Sequence, residues 1–519
     1  MSPSPSPSPP PSPAPTLIDR LQQQHHARVI ETHISWVLLD GADAWKLKKP
    51  LKLPFLDAST LERRRELCEE ELRLNRRMAA SLYLEVTPIT GTPDAPALGG
   101  SGPVIDYAVH MRQFPHGALL SELLASDQVQ PAQLDEFALK LAAFHRTAPL
   151  APPSPTFGSP NEVERTTRDV LRTLADLEGA QQVAPFAKWL DEQAPALRPM
   201  WAHRQAQGRI VEGHGDLHLA NVVLLDGALT AFDCIEFDPA LRWIDPLSDA
   251  AFLVMDLMAH DRADLAFRFL NSYLDASGEH AGVPVLRQYL VYRALVRAMV
   301  ARIKAGSGEA APGSTGSDYL ALAHALIQPT RPRLLITHGV SGSGKTYVSQ
   351  GLLEQAGAIR IRSDVERKRL FSQGHVAHIP MPTSMPKPAQ PGLYNRERTL
   401  STYAHLRDLA HICLQAGWPV IVDATFLDPA ERDAFRHLAT SPPGSFTILH
   451  CQAPRSMLES RIKARQQGAQ DASDADTTVL AQQLAHDTAL RPDEAPITLH
   501  ADTLRPDWAV QLASQWLAV

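Results

Sequence analysis

Two short stretches of this sequence combine residue types that handle phosphate. The first, Gly339-Val340-Ser341-Gly342-Ser343-Gly344-Lys345-Thr346, fits the pattern GxxxxGK[ST] at every defined position. Glycines at that spacing let the backbone turn so that successive N–H groups face one anion, and a helix starting there adds its positive end. Lys345 supplies a mobile charge for the β- and γ-phosphates of a nucleotide, and the Thr346 hydroxyl suits Mg²⁺. The phosphate-binding set is therefore Gly339, Gly342, Ser343, Gly344, Lys345 and Thr346. The residues before it, Arg333 to His338, read as a short buried strand, and Tyr347 to Gln355 reads as a helix. That strand-loop-helix context is what the motif requires.

The second stretch is His214-Gly215-Asp216-Leu217-His218-Leu219-Ala220-Asn221, followed by Phe232-Asp233. One arrangement for moving a phosphoryl group uses an Asp to accept the substrate hydroxyl proton, an Asn five residues later, and a further Asp on the next hairpin. The last two hold Mg²⁺. Asp216, Asn221 and Asp233 have that order and spacing. Val222 to Leu225, the turn Asp226-Gly227, and Leu229 to Phe232 form a hairpin that returns Asn221 and Asp233 to one end. A His-x-Asp alone is equally a solvated loop; Asp233 at this distance argues for chemistry.

HGDLHLANVV and FDCIEFD resemble the catalytic and metal segments of the aminoglycoside phosphotransferase family, over residues 17–328. The resemblance implies a protein-kinase-like bilobal domain of α+β class. In it His214 is structural, Asp216 is the catalytic base, and Asn221 and Asp233 are the Mg²⁺ ligands. An N-terminal lobe then supplies a strand Lys and a helix Glu that pair over the nucleotide. Trp36 to Leu39 and Ala44 to Lys48 read as a hairpin, in which Lys46 and Lys48 share a face by the two-residue period. Lys46 is favoured. Leu61 to Arg77 reads as a charged helix with an apolar stripe through Leu67, Leu74 and Met78, and Glu71 is favoured over Glu70 as the partner. The chain departs from the kinase pattern in one respect: no GxGxxG precedes the Lys strand, only Glu31-Thr32-His33-Ile34-Ser35. Beyond Asp233, the carboxylates Glu236, Asp238, Asp245 and Asp249 either receive a cationic or polyhydroxyl substrate or hold structure. Asp249 resembles the family's anchoring Asp.

Residues 330–519 resemble small-molecule and polynucleotide kinases of the P-loop class. Ile359 to Asp364 is a strand ending in an Asp that the resemblance makes the group orienting or deprotonating the acceptor hydroxyl; capping the next helix is its other role. Trp418 to Asp423 is an apolar strand whose Asp423 is placed like a Walker B carboxylate, reaching Mg²⁺ through water. Phe446 to Cys451 is a third strand before a helix Ser456 to Arg465. There Arg461 and Arg465, four apart, share a face and look like lid arginines that neutralise the transferring phosphate. A basic solvated face is the alternative. Arg362 and Arg367 are candidate contacts for an anionic acceptor. The element order predicts a doubly wound parallel α/β sheet, a P-loop NTPase fold. The Pro/Met-rich run 375–392 has no helical or strand period and reads as a mobile substrate-side loop.

The 519 residues exceed what one core organises. The expected partition is a disordered Ser/Pro tail over 1–16, a kinase-like domain over 17–328, a hinge at 329–332 and a P-loop domain over 333–519, with a flexible Gly/Ser/Ala-rich insert at 304–317. The tail has no basic start or apolar core and is not a signal peptide. No run elsewhere reaches the ~18 apolar residues of a membrane span. Cys68, Cys234, Cys413 and Cys451 lack metal spacing and fit reduced thiols in a cytoplasmic protein. A net charge of −7, from 50 basic and 57 acidic residues without a long basic block, disfavours stable nucleic-acid binding, and no obligate protein partner is signalled.

The activity expected is bifunctional: transfer of the γ-phosphoryl of ATP, with Mg²⁺, to hydroxyls of small molecules. Two further readings stay open, an ATP-binding switch in which one domain senses nucleotide without transfer, and a polynucleotide 5′-hydroxyl kinase in the C-terminal domain. Nothing in the sequence identifies either acceptor.

Overall fold

The computed structural model describes residues 16–53, 56–152, 156–306, 317–371, 396–439, 446–468, 475–486, 489–503 and 505–518. The Ser/Pro tail up to Pro15, the run 375–392 and most of the 304–317 insert lie outside the described residues. The chain forms two compact units, Met1–Val129 with His214–Trp243, and Gln130–Gly213 with Ile244–Val519. The P-loop part thus shares a unit with most of the helices of the first 328 residues.

In the first unit, six antiparallel strands form a sheet. Their order across it is Arg28–Glu31, Ser35–Asp40, Asp43–Lys48, Val104–Arg112, Tyr83–Thr92 and Ala95–Leu98. The hairpin Ser35–Asp40/Asp43–Lys48 pairs Val37 with Lys46 and Ser35 with Lys48, so the two lysines point to the same face. Leu38, Leu47, Ile89 and Ala108 pack in the core beside Leu21 of the N-terminal helix. The helix Leu61–Ala79 is capped by the Thr60 hydroxyl and buries Cys68, Glu71, Leu74, Asn75 and Met78, a stripe at three- and four-residue steps. A two-stranded hairpin, Val222–Leu225 and Ala228–Ala231, turns at Asp226 and Gly227 with φ of 50° and 82°. Positive φ at both positions is why Asp-Gly closes it.

The second unit joins a helical layer to a parallel sheet. Its helices include Pro131–Thr147, Pro160–Glu178, Ala180–Ala206, Pro246–Ala259, Ala263–Ser277, Val283–Gly306 and Tyr319–Leu326. Every residue from Pro246 to Leu257 is buried, which fits the near-continuous apolar sequence there. The sheet has strand order Ile359–Arg362, Val420–Asp423, Leu334–His338, Phe446–His450 and Thr498–His500, with every pairing parallel. This is the expected doubly wound topology, with one strand more than the sequence pattern revealed. Thr498–His500 is three residues long, with one apolar residue between Thr and His, too short to show a strand period.

Four cysteines are buried and unbridged. No helix among the described residues is long and apolar enough to cross a membrane. Beside the sheet, Arg432 is 1 % exposed and bonds Glu494 through two nitrogens, at 2.7 and 2.9 Å, while also donating to Phe426 O. Truncating one member of such a pair leaves the other charge buried and unpaired. Arg432→Ala should therefore cost about 3–5 kcal/mol, read as a lower midpoint in chemical denaturation. A change below about 1 kcal/mol would show that Glu494 finds water instead.

Candidate functional site

In the first unit the loop His214 to Asn221 is organised by backbone hydrogen bonds. His214 is buried, with Nε2 2.9 Å from Phe232 O, and its Nδ1 accepts from Asp216 N at 3.3 Å. Phe232 N donates to Asn221 O and Ile235 N to His214 O, tying the loop to the segment that carries Asp233. The Asn221 amide donates to Asp216 Oδ2 and Asp216 O, both at 3.0 Å, and His218 Nε2 lies 3.4 Å from Asp216 Oδ2. Asp233 has φ of 64°, a left-handed conformation that Asp tolerates at a cost. It is held there by its N–H donating to Tyr83 Oη at 3.2 Å and by Cys234 N donating to Asn75 Oδ1 at 2.9 Å.

Lys46 Nζ lies 2.8 Å from Glu71 Oε1 and 2.5 Å from Asp233 Oδ1, so the strand lysine, the helix glutamate and the aspartate after the hairpin meet. Lys48 is as deeply placed, 1 % exposed, and bridges Glu71 to Glu236. The choice between the lysines was not exclusive: the two-residue period sends both to Glu71. Glu70 instead faces Arg73 and Arg242. Burial opposes charge on Lys46, but Asp233 and Glu71 overcome it and push the ammonium well above its ordinary value. Burial likewise opposes charge on Glu71, yet the two ammoniums pull its carboxyl down to about 2. Tyr83, Asn75, Lys48 and Glu236 are the supporting residues that sequence reasoning did not single out as such; only the lysine spacing hinted at them.

In the second unit the strand Leu334–His338 is buried throughout and delivers the phosphate-binding loop to the start of the helix Lys345–Ala356. Gly339, Gly342 and Gly344 have φ of 140°, 84° and 96°, and a Cβ on Gly339 would sit 2.3 Å from Cys451 O. Thr346 Oγ1 donates to Asp423 Oδ2 at 2.8 Å, and Ser349 Oγ lies 3.4 Å from the same oxygen. Lys345 Nζ donates to Val340 O at 2.9 Å, and Arg461 donates to Gly342 O at 3.1 Å. Asp364 lies in the first turn of the helix Ser363–Phe371 rather than at a cap before it, with Arg367 3.0 Å away. Lys345, Thr346, Asp364, Asp423 and Arg461 line one cavity of about 730 Å³, together with Arg362 and Arg367. Arg465 lies on the helix Arg455–Gly468, but its side chain is outside the described residues.

Both sets of residues fit Mg²⁺ and nucleotide phosphate. Carboxylate, amide and hydroxyl oxygens are hard donors suited to Mg²⁺. The Ser343 hydroxyl is buried without a partner beside backbone that only glycine can follow, which suits an anion cradled by the loop. The downstream carboxylates are used structurally. Glu236 bonds Lys48; Asp238 and Asp245 cap helices; Arg204 binds Asp245 at 2.5 and 2.7 Å; Asp249 lies 3.2 Å from His145.

The depressed Glu71 carboxyl has a consequence for acid stability. Its contribution is complete above the ordinary carboxyl range and is lost as pH falls toward about 2. The stability gap between wild type and Glu71→Gln should therefore shrink as pH drops from about 5. Urea denaturation across that range checks this; a gap that stays constant would mean that Glu71 is not charged in the fold.

Residues 48–289 match the model of the phosphotransferase enzyme family, and residues 334–490 match an AAA domain. Uncharacterized protein Rv2004c of Mycobacterium tuberculosis is 32% identical over 472 residues, covering 90% of this chain and 92% of that protein. Among solved structures, a sugar kinase from Janibacter sp. HTCC2649 is 24% identical with a TM-score of 0.26, covering 36% of this chain and 95% of its own. A choline/ethanolamine kinase family protein from Mesorhizobium loti is 13% identical with a TM-score of 0.33, covering 60% and 92%. The chain belongs to the same family as the mycobacterial protein, and it joins a phosphotransferase enzyme family domain to a P-loop kinase-like AAA domain.

Proposed function

We propose that this protein is an ATP-dependent phosphotransferase with two sites, each moving the γ-phosphoryl group of ATP to a hydroxyl of a small molecule. The observation that carries the reading is the Lys46 ammonium held between Glu71 and Asp233, in the unit where Asn221 fixes the Asp216 carboxylate. In this site Asp216 accepts the proton as the acceptor oxygen bonds to the γ-phosphorus and the bond to the β-phosphate oxygen breaks, releasing ADP. Lys46 orients the phosphates. Asn221 and Asp233 would hold Mg²⁺, which when bound neutralises charge on the phosphate oxygens.

The P-loop site has a parallel division of labour. Lys345 and the loop amides grip the phosphates, Thr346 and Asp423 would hold the metal, Asp364 orients the acceptor and Arg461 offsets charge on the group in flight. Positioning and charge neutralisation account for such catalysis, so each role is separable by mutation.

The test is label transfer from γ-labelled ATP into a metabolite extract by wild type, Asp216→Asn and Lys345→Ala. Two product sets are expected, one falling about 10²-fold or more in each variant. ATP binding at both sites without any product would support nucleotide sensing instead. Label appearing only on 5′-hydroxyl oligonucleotides, and lost in Lys345→Ala, would make the second site a polynucleotide kinase.

A further inference from the structure

Strand Ile359–Arg362 pairs with Val420–Asp423 on one side and is the edge of its sheet. An edge strand leaves a row of N–H and C=O groups that must be satisfied. Here side chains from the helical layer satisfy them. Asn271, on the helix Ala263–Ser277, accepts from Arg360 N at 2.6 Å and donates to Ala358 O at 2.9 Å, so one carboxamide stands in for the peptide of a neighbouring strand. Asn271 is 1 % exposed, and its amide nitrogen also donates to Phe267 O, which fixes its orientation. His280, fully buried, places Nε2 3.0 Å from Arg360 O and Nδ1 3.5 Å from Glu366 Oε1. Asp275, four residues beyond Asn271 and so on the same helix face, lies 3.6 Å from Arg362 and 3.9 Å from Arg360, and its carbonyl accepts from Arg369 at 2.6 Å.

The strand held in this way has chemistry at both ends of its reach. Its chain runs directly into Ser363 and Asp364, and Glu366, gripped by His280 and also by His405 at 3.1 Å, sits two residues further on. On the other side the Arg360 guanidinium reaches Ser349 Oγ at 3.3 Å and Thr346 O at 3.4 Å. Ser349 and Thr346 share the Asp423 carboxylate. A displacement of about 1 Å in such a support is enough to cost a large factor in rate.

We infer that Asn271, Asp275 and His280, all within the segment matching the phosphotransferase enzyme family, are positioning residues for the P-loop site. They set the strand that presents Asp364 to the acceptor and backs the Thr346–Asp423 pair. The P-loop site is then not an independent cassette: part of its support is encoded before residue 289. This rests on the reading of that site as a transferring one.

The test uses the full chain, Mg·ATP and the metabolite extract that supplies the acceptor hydroxyls. Lys345-dependent ATP turnover, the part lost in Lys345→Ala, is measured separately from Asp216-dependent turnover. Asn271→Ala should lower the Lys345-dependent kcat about tenfold or more, leave KM for ATP within about twofold, and spare Asp216-dependent turnover. His280→Ala should do the same, and His280→Gln, which keeps an N–H for Arg360 O, should recover most of the loss; this pair decides the matter if Asn271→Ala does not fold. Wild-type kcat in the Asn271 and His280 variants, or an equal loss of Asp216-dependent turnover, would overturn the inference. Absence of Lys345-dependent turnover in the wild type itself would overturn the transfer reading, and this role with it.

Discussion

Burying charge is costly unless each charge has a partner, and that constraint shapes the first unit. Lys46, Lys48, Glu71 and Glu236 are all removed from water, and they alternate in sign so that no group lacks a counter-charge. Lys48 bridges both glutamates, so removing it would leave Glu236 buried without that partner. The array therefore ties the strand Asp43–Lys48, the helix Leu61–Ala79 and the segment after Asp233 into one arrangement, and sets where the Lys46 ammonium ends. The position of this charge is a consequence of how the unit solves its own electrostatics.

The P-loop region meets a similar demand with backbone. Glycines at positive φ turn the loop so that its amides, with the start of the helix Lys345–Ala356, offer partial positive charge that needs no buried side-chain ion. The close approach of Gly339 to Cys451 O shows how little room the turn leaves. Hydroxyl and carboxylate then meet next to the loop in the Thr346–Asp423 bond. The two units thus place their candidate ligands by different physical means, which is why their sequence signatures look nothing alike.

Legibility followed from how local each feature is. The loop 339–346 and the order Asp216, Asn221, Asp233 were readable because spacing along the chain dictates their geometry within one turn or one hairpin. The lysine pair was readable to the level of a face, since a strand's period places both on one side. Which glutamate they meet was decided by the packing of a helix. The carboxylates after Asp233 left two roles open, a receptive surface or a structural one, because density along the chain does not name partners; in the fold they meet Arg204, His145, Lys48 and helix N-termini. Asp364 looked like the end of a strand or a cap, and the helix begins two residues earlier than that pattern implied.

Sequence alone determined the two fold classes, the glycine-rich turn 339–346 and the hairpin that links Asn221 to Asp233, because periodicity, glycine conformation and hairpin geometry act over a few residues and leave a pattern in the chain. Tertiary structure alone decided the pairing of Lys48 with Glu236, the left-handed seat of Asp233 under Tyr83 and Asn75, and the closing of the edge strand by Asn271 and His280. Those contacts join residues far apart in the chain. A single buried Asn, His or Tyr carries no period to announce its partner, and only the packing that removes its alternatives selects one.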